Sequence, residues 1–209
     1  MNVLRFIGRK KLFVILCLLM GVFGVFAASR FLCYADNPVR SDVVVLYVGP
    51  GMEERLLEAR QLVRDGYAEA LIIPSYQAIF ERLPDGRIES VGSSFIDQFT
   101  PTVRPARKKL PVYYEATHVE MLEGKRLMDL HGYRSALFVS SPYHMRRIRL
   151  ISKEVLDPGR YDVRFVPSRY EDAAHGTLRF DPGDLRWLAS EYLKVGWFLA
   201  YSALNADIP

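Results

Sequence analysis

Only two cysteines stand in the 209 residues, and Cys17 falls inside a long apolar run. Cys33 therefore has no intrachain partner outside that run, which excludes a disulfide-stapled domain and says little about redox compartment. No lipobox precedes either cysteine. A phosphate loop, a Gly-x-Ser-x-Gly nucleophile elbow and the Cys-x-x-Cys or His-x-x-x-His pairs typical of metal sites are also missing, so no metal centre is expected. Internal repeats and low-complexity tracts are absent as well. No acidic residue precedes Asp36, whereas Arg5, Arg9, Lys10 and Lys11 do. These four supply the whole formal charge of +4; setting them aside leaves 24 basic residues against 24 acidic ones. The remainder is neutral, and nothing in it calls for nucleic acid as a partner.

Directly after the basic cluster, Leu12 to Ser29 carries no charge and is rich in Leu, Val, Phe and Ala. At about 1.5 Å per residue it reaches roughly 27 Å, enough to cross the hydrocarbon of a bilayer. Residues 1–30 read as a basic flank and a signal-anchor, with residues 12–29 in the lipid. The positive flank stays cytoplasmic, which places the C-terminal domain outside the cytoplasm, at a bacterial inner membrane. A cleaved signal peptide, with Ala27-Ala28-Ser29 near the cut, is the competing reading; the run exceeds the usual apolar core of such peptides.

Beyond a linker over residues 31–40, strands and helices alternate. Asp42–Val48 and Ala70–Ile73 read as buried strands flanking a helix from Met52 to Asp65, with Gly66 as its stop. Residues 76–109 interrupt the pattern: Pro84-Asp85-Gly86 suits the turn of a hairpin, and Arg104, Arg107, Lys108 and Lys109 make the later part basic. Leu110–Tyr114 reads as a short strand. A helix over 118–130 comes next, with Thr117 and Glu120 as a capping box. Ala136–Val139 is a strand, Pro142–Val155 a helix and Val163–Val166 the last strand. The final helix starts at Asp181-Pro182, with Leu185, Leu188, Tyr192, Val195 and Leu199 as its stripe. Its Trp187, Trp197 and Phe198 suit packing on the sheet better than contact with a bilayer. The pattern predicts an α/β domain over 41–204 and a tail at 205–209. Its mainly parallel five-stranded sheet carries helices on both faces.

The segment with most chemical content is Ser140-Ser141-Pro142-Tyr143-His144-Met145-Arg146-Arg147. Ser141 suits a helix N-cap and Pro142 the first helical position. A strand thus hands over to a helix at a polar corner, where ligands sit in open α/β sheets because free N–H groups face outward. His144 titrates near neutrality and is the acid/base candidate. It shares a helix face with Arg147, the anion-binding candidate, whereas Arg146 points elsewhere. Gly49 and Gly51 permit close backbone approach of a ligand, or serve a tight turn. Arg55 suits a phosphate clamp, or an ion pair with Glu54 or Glu58. Glu115, at a strand end, suits water or proton handling. Ser75, Thr117, Glu120, Ser140 and Ser141 complete the candidate set.

Several segments together resemble the SanA/YdcF/ElyC-like domains of bacteria. Val139 to Arg147 is similar, nearly residue for residue, to that family's Tyr-His-Met-Arg-Arg signature segment. Asp42–Val48 with the adjoining loop and Arg55, Glu115–Glu120, and the final helix with Trp187 and Glu191 resemble its other landmarks. The first loop departs from the pattern with Gly49-Pro50-Gly51 in place of a glycine run. Pro74-Ser75-Tyr76 stands where Ser-Gly-Gly is frequent, and Met121 replaces an asparagine or alanine; these imply a narrower or altered pocket. The resemblance implies a Rossmann-like fold and a role in envelope integrity or in peptidoglycan or lipid-carrier metabolism. One cytoplasmic member is linked to S-adenosylmethionine. The expected ligand is then an anionic, phosphorylated envelope intermediate, bound and, if the site is catalytic, hydrolysed or transferred. The alternatives are a non-catalytic scaffold for wall-synthesis proteins and a nucleotide or S-adenosylmethionine binder; the cofactor stays open.

Overall fold

The computed structural model describes residues 2–82, 88–91, 110–171 and 182–205. Side chains are described for residues 11–82, 110–171 and 185–204. Helix α1 (Asn2–Leu32) leads into β1 (Val43–Leu46), α2 (Met52–Arg64), β2 (Ala70–Ile73), β3 (Ala78–Arg82) and β4 (Ile88–Val91). Then come α3 (Ala116–His131), β5 (Ser135–Ser140), α4 (Met145–Val155), β6 (Asp162–Pro167) and α5 (Pro182–Asn205). The sheet order is β4-β3-β2-β1-β5-β6. β2, β1, β5 and β6 run parallel, with Val43 opposite both Ala70 and Ala136, and Phe138 opposite Phe165. The expected mainly parallel sheet with helices on both faces is present.

Two strand assignments differ from the sequence reading. Leu110–Tyr114 forms no strand; it makes turns, with Tyr114 N–H donating to Pro111 C=O. Its Pro-Val-Tyr-Tyr run is apolar, but it packs rings against α5 instead of pairing: Tyr114 stacks on Tyr201 and Tyr113 meets it at a tilt. The hairpin expected in the insertion instead joins the sheet, β3 pairing antiparallel with β2 and with β4. Six strands result. The Pro84-Asp85-Gly86 turn, the basic stretch at 104–109 and His175 lie outside the described residues.

Alternation along β1 builds the two layers. Val43, Val45 and Tyr47 face a core shared with α3, α4 and α5, while Val44 and Leu46 face α2 through Leu56, Ala59, Leu62 and Val63. Full burial of such a side chain stabilises the fold by roughly 1.5–3 kcal/mol each. His118 belongs to the first core: it stacks on Tyr114 and its Nδ1 lies 2.9 Å from the Tyr201 hydroxyl.

Helix α1 contains one stretch, Lys11–Leu32, long and apolar enough to cross a membrane, with mean hydropathy 2.6 and almost none of it buried. Its last turn is different. Leu32 is fully buried in the domain, and Arg146 Nε donates to the Phe31 carbonyl at 2.7 Å. The stretch read as a linker is tied down as well, by a two-way bond between Asp36 and the backbone of Phe165.

Candidate functional site

The C-terminal ends of β1 and β5 open onto a cavity of about 350 Å³. Tyr47, Val48, Gly49 and Pro50 form one wall, Glu115, Thr117 and Glu120 another, and Ser140, His144 and Arg147 the floor. Trp187 and Lys194 of α5 close the rim. Seven of the sequence candidates therefore meet here: Gly49, Glu115, Thr117, Glu120, Ser140, His144 and Arg147. This is the crevice beyond the strand carboxyl ends where open α/β sheets bind ligands.

Local sequence explains the floor. β5 ends at Ser140, and Pro142 at the first helical position starts a single 3-10 turn, Pro142–His144, before α4. The turn uses the His144 N–H, which donates to Ser141 C=O at 3.0 Å. The Ser141 hydroxyl makes no cap bond, although the residue holds the N-cap position. His144 and Arg147 then fall on one face as their spacing predicts, with Arg147 Nη2 2.8 Å from His144 Nδ1.

Arg147 is not free. It is 4 % exposed, and each of its nitrogens has a neighbour. Nε faces Glu191 at 2.9 Å, Nη1 donates to Glu115 Oε2 at 2.7 Å and to Thr117 Oγ1 at 2.8 Å, and Nη2 reaches His144 and Glu191. Thr117 is thus no helix cap. Glu115 holds the N-cap position of α3 without a side-chain cap bond, and the Thr117 hydroxyl serves the guanidinium instead. Glu120, the other half of the supposed capping box, accepts from the Ser75 hydroxyl. Ser75 supports the cavity wall through that bond and does not line it.

Glu191 is the central residue absent from the candidate set that sequence reasoning assembles. It accepts from Arg147, takes Lys194 Nζ at 2.8 Å, and lies 3.1 Å from His144 Nδ1. The signal was present: Glu191 falls between Leu188 and Val195 on the buried stripe of α5, where a carboxylate needs partners. The expected stripe also takes in Leu185, Tyr192 and Leu199, all of which are exposed. Lys194, one turn on from Glu191, escapes sequence reasoning with it.

The charges do not make the cationic pocket that the arginine-rich octapeptide suggests. Two carboxylates, Glu115 and Glu120, line the cavity with Arg147 and Lys194, and Glu191 stands behind them. Burial pushes Glu191 up, but the hydrogen bond and charge of His144, with Arg147 and Lys194, hold it down at about 2. Burial lowers His144, outweighing Glu191, so the imidazole favours its neutral form. Burial raises Glu115 despite Arg147. Its Oε1 is buried without a hydrogen-bond partner among the described residues. A lone Nδ1 serves one neighbour at a time: protonated, it donates to Glu191; bare, it accepts from Arg147. Either way Nε2 is the ring atom left for a ligand.

Arg55 and the first loop form a separate brace. Arg55, 2 % exposed, turns back beneath the loop, Nε on Glu171 Oε1 at 2.9 Å and Nη1 on the Tyr47 carbonyl at 3.3 Å. Its ion pair is thus with Glu171 rather than the expected Glu54 or Glu58; Glu58 holds Arg169 instead. Gly49 makes room for this guanidinium: a Cβ there would lie 2.7 Å from Nη1. Gly51 has φ +76° and heads α2, a left-handed position that favours glycine. Met121, where the resembled family has a smaller or polar residue, takes the Tyr47 hydroxyl on its sulfur at 3.0 Å. Among the described residues, no cluster of His, Cys, Asp and Glu is arranged to hold a metal ion.

These shifts set a pH dependence. His144 titrates below its unfolded value of about 6.5, so acidification through that value protonates the unfolded chain first and stability falls. Glu191 is depressed: its contribution is complete above the unfolded carboxylate value of about 4.3 and is lost as pH falls toward its folded value. Glu115 is raised and acts in the opposite sense, favouring the fold as pH falls through its folded value. Urea unfolding of the detergent-solubilised chain should show stability declining from pH 7 to pH 5. In His144→Gln that decline should shrink, the rest coming from His118, which burial also lowers; an unchanged slope would contradict a buried neutral His144.

No protein-family model, curated protein or solved structure matches this chain. Its chemistry is therefore read from the geometry of the cavity.

Proposed function

We propose that this is a membrane-anchored bacterial envelope protein whose cavity binds a phosphorylated envelope intermediate carrying hydroxyl or amide donors, such as a polyprenyl-phosphate-linked glycan. The observation that carries the reading is the buried Glu115 Oε1, unpartnered among the described residues in the cavity wall. An unsatisfied buried acceptor costs about 1–3 kcal/mol; Oε1 is closed off as it stands, and a ligand donor removes that cost once the Glu115 carboxylate turns into the cavity. Lys194, at the rim and part-exposed, is the cation placed to meet a phosphate, with Arg147 behind it. His144 Nε2 is the acid/base atom for hydrolysis or transfer at the phosphoryl group, and Glu115 positions the attacking water. The similarity of Val139–Arg147 to the envelope-associated family supports the same substrate class. The basic N-terminal flank supports an extracytoplasmic domain.

A second reading, a non-catalytic scaffold, is favoured by the saturation of Arg147 and Arg55. Complementation separates the two. In cells lacking the native copy, His144→Ala and Glu115→Gln should each fail to restore resistance to osmotic or detergent stress at normal abundance. Full restoration by both would sink the ligand-binding reading and leave the scaffold. A reporter fused after Pro209 should be active only outside the cytoplasm; cytoplasmic activity would overturn the orientation.

A further inference from the structure

Helix α5 is apolar on more than its buried side. Its inner face, Leu188, Val195, Phe198 and Tyr201, packs on the domain. Its outer face carries Leu185, Ala189, Leu193, Gly196, Trp197 and Ala200, with Leu193 75 % and Trp197 53 % exposed. A helix apolar all round is normally covered. The neighbour of this face is the membrane-crossing helix. Tyr192 donates its hydroxyl to the Ala28 carbonyl at 2.9 Å and stacks on Phe31, at the point where α1 enters the domain. The exposed surface of α1 therefore continues across Phe31 and Tyr192 onto α5, with no flexible tether between them.

We propose that the outer face of α5 lies in the lipid–water interface beside the exit of α1, with Trp197 at headgroup depth and Trp187 on the cavity side of the helix. Amphipathic aromatics are enriched at that level, and an interfacial helix buries its apolar side about 5–10 Å into the headgroup boundary. Leu193 supplies the inserted side chain, with Leu185 beside it, and the Trp197 Nε1–H is already satisfied by the Tyr113 carbonyl at 2.9 Å. Trp187 is both a rim residue of the cavity and 45 % exposed. The cavity mouth then opens along the membrane surface, next to Lys194. This placement stands on α1 and α5 alone; what it adds to the ligand reading is lateral access for a headgroup still attached to its lipid.

Trp187 and Trp197 are the chain's two tryptophans, so tryptophan emission reports this helix alone. The full chain and its Trp187→Phe and Trp197→Phe variants are reconstituted in phosphatidylethanolamine–phosphatidylglycerol vesicles with or without lipids brominated at shallow acyl positions. Blue-shifted Trp197 emission that is quenched by the brominated lipid and resists aqueous iodide is the expected result. Water-like emission quenched by iodide would overturn the proposal. Emission indifferent to both quenchers would also overturn it, since another protein surface would then cover the face. Neither outcome bears on the His144 and Glu115 complementation test.

Discussion

Arg147→Ala should destabilise the protein by about 3–5 kcal/mol, because it strands buried carboxylates without their counter-charge. Arg147 touches Glu115, Glu191, Thr117 and His144, and Glu191 is almost wholly buried. Lys194 remains as a partner for Glu191 at 2.8 Å, so Glu115 suffers most. Urea unfolding of the full chain in detergent measures the loss. Arg147→Lys recovers only part, since one ammonium cannot replace a planar fork that meets several partners. The informative comparison is Arg147→Met with Glu115→Leu and Glu191→Leu. Replacing a whole buried ionic cluster by apolar residues is often neutral or stabilising. That triple variant should regain much of the lost stability while failing complementation. Its success in complementation would show that the cluster serves folding alone.

Arg55→Ala should cost a similar amount, about 3–5 kcal/mol, through a different mechanism. It removes one of the largest fully buried side chains among the described residues, leaves Glu171 without this cation and frees the Tyr47 carbonyl. Gly49→Ala tests the same brace more gently. The added methyl displaces the guanidinium from beneath the loop, at roughly 1–3 kcal/mol. The two substitutions should be less than additive, since both break the Arg55 contacts. Strict additivity in a double-mutant cycle would mean that Gly49 and Arg55 act independently.

Much of the fold was legible because its strands are short runs of Val, Leu, Ile and Phe separated by clear stops. Val43–Leu46, Ala70–Ile73 and Ser135–Ser140 fall where periodicity and turn residues put them. Leu110–Tyr114 misled because aromatic residues suit either a strand or a ring cluster, and only α5 decides between them. The hairpin was legible as a hairpin, but its pairing with β2 is a tertiary event that local sequence does not encode.

The site was legible in its parts and not in its wiring. His144 and Arg147 stand out through a three-residue spacing beside a proline-started turn. Their saturation by Glu115 and Glu191 comes from α3 and α5, brought over β5 by the fold. Thr117 and Glu120 illustrate the limit most sharply. Their spacing matches a capping box, yet the helix starts two residues earlier and both side chains turn to other partners. A charge on the buried stripe of an otherwise apolar helix, Glu191, was the readable clue to the cluster.

On the proposed reading this cavity, with Glu115, His144 and Lys194 around it, takes a phosphorylated, donor-bearing ligand from the envelope. Mass spectrometry of lipids retained by the full chain, purified in its native membrane, is compared with that of a Glu115→Ala, His144→Ala double variant of equal thermal stability. A phosphate-bearing glycolipid or polyprenyl lipid held by the wild type and lost from the variant is the predicted result. Bulk phospholipids alone, in the same proportions in both, would contradict it.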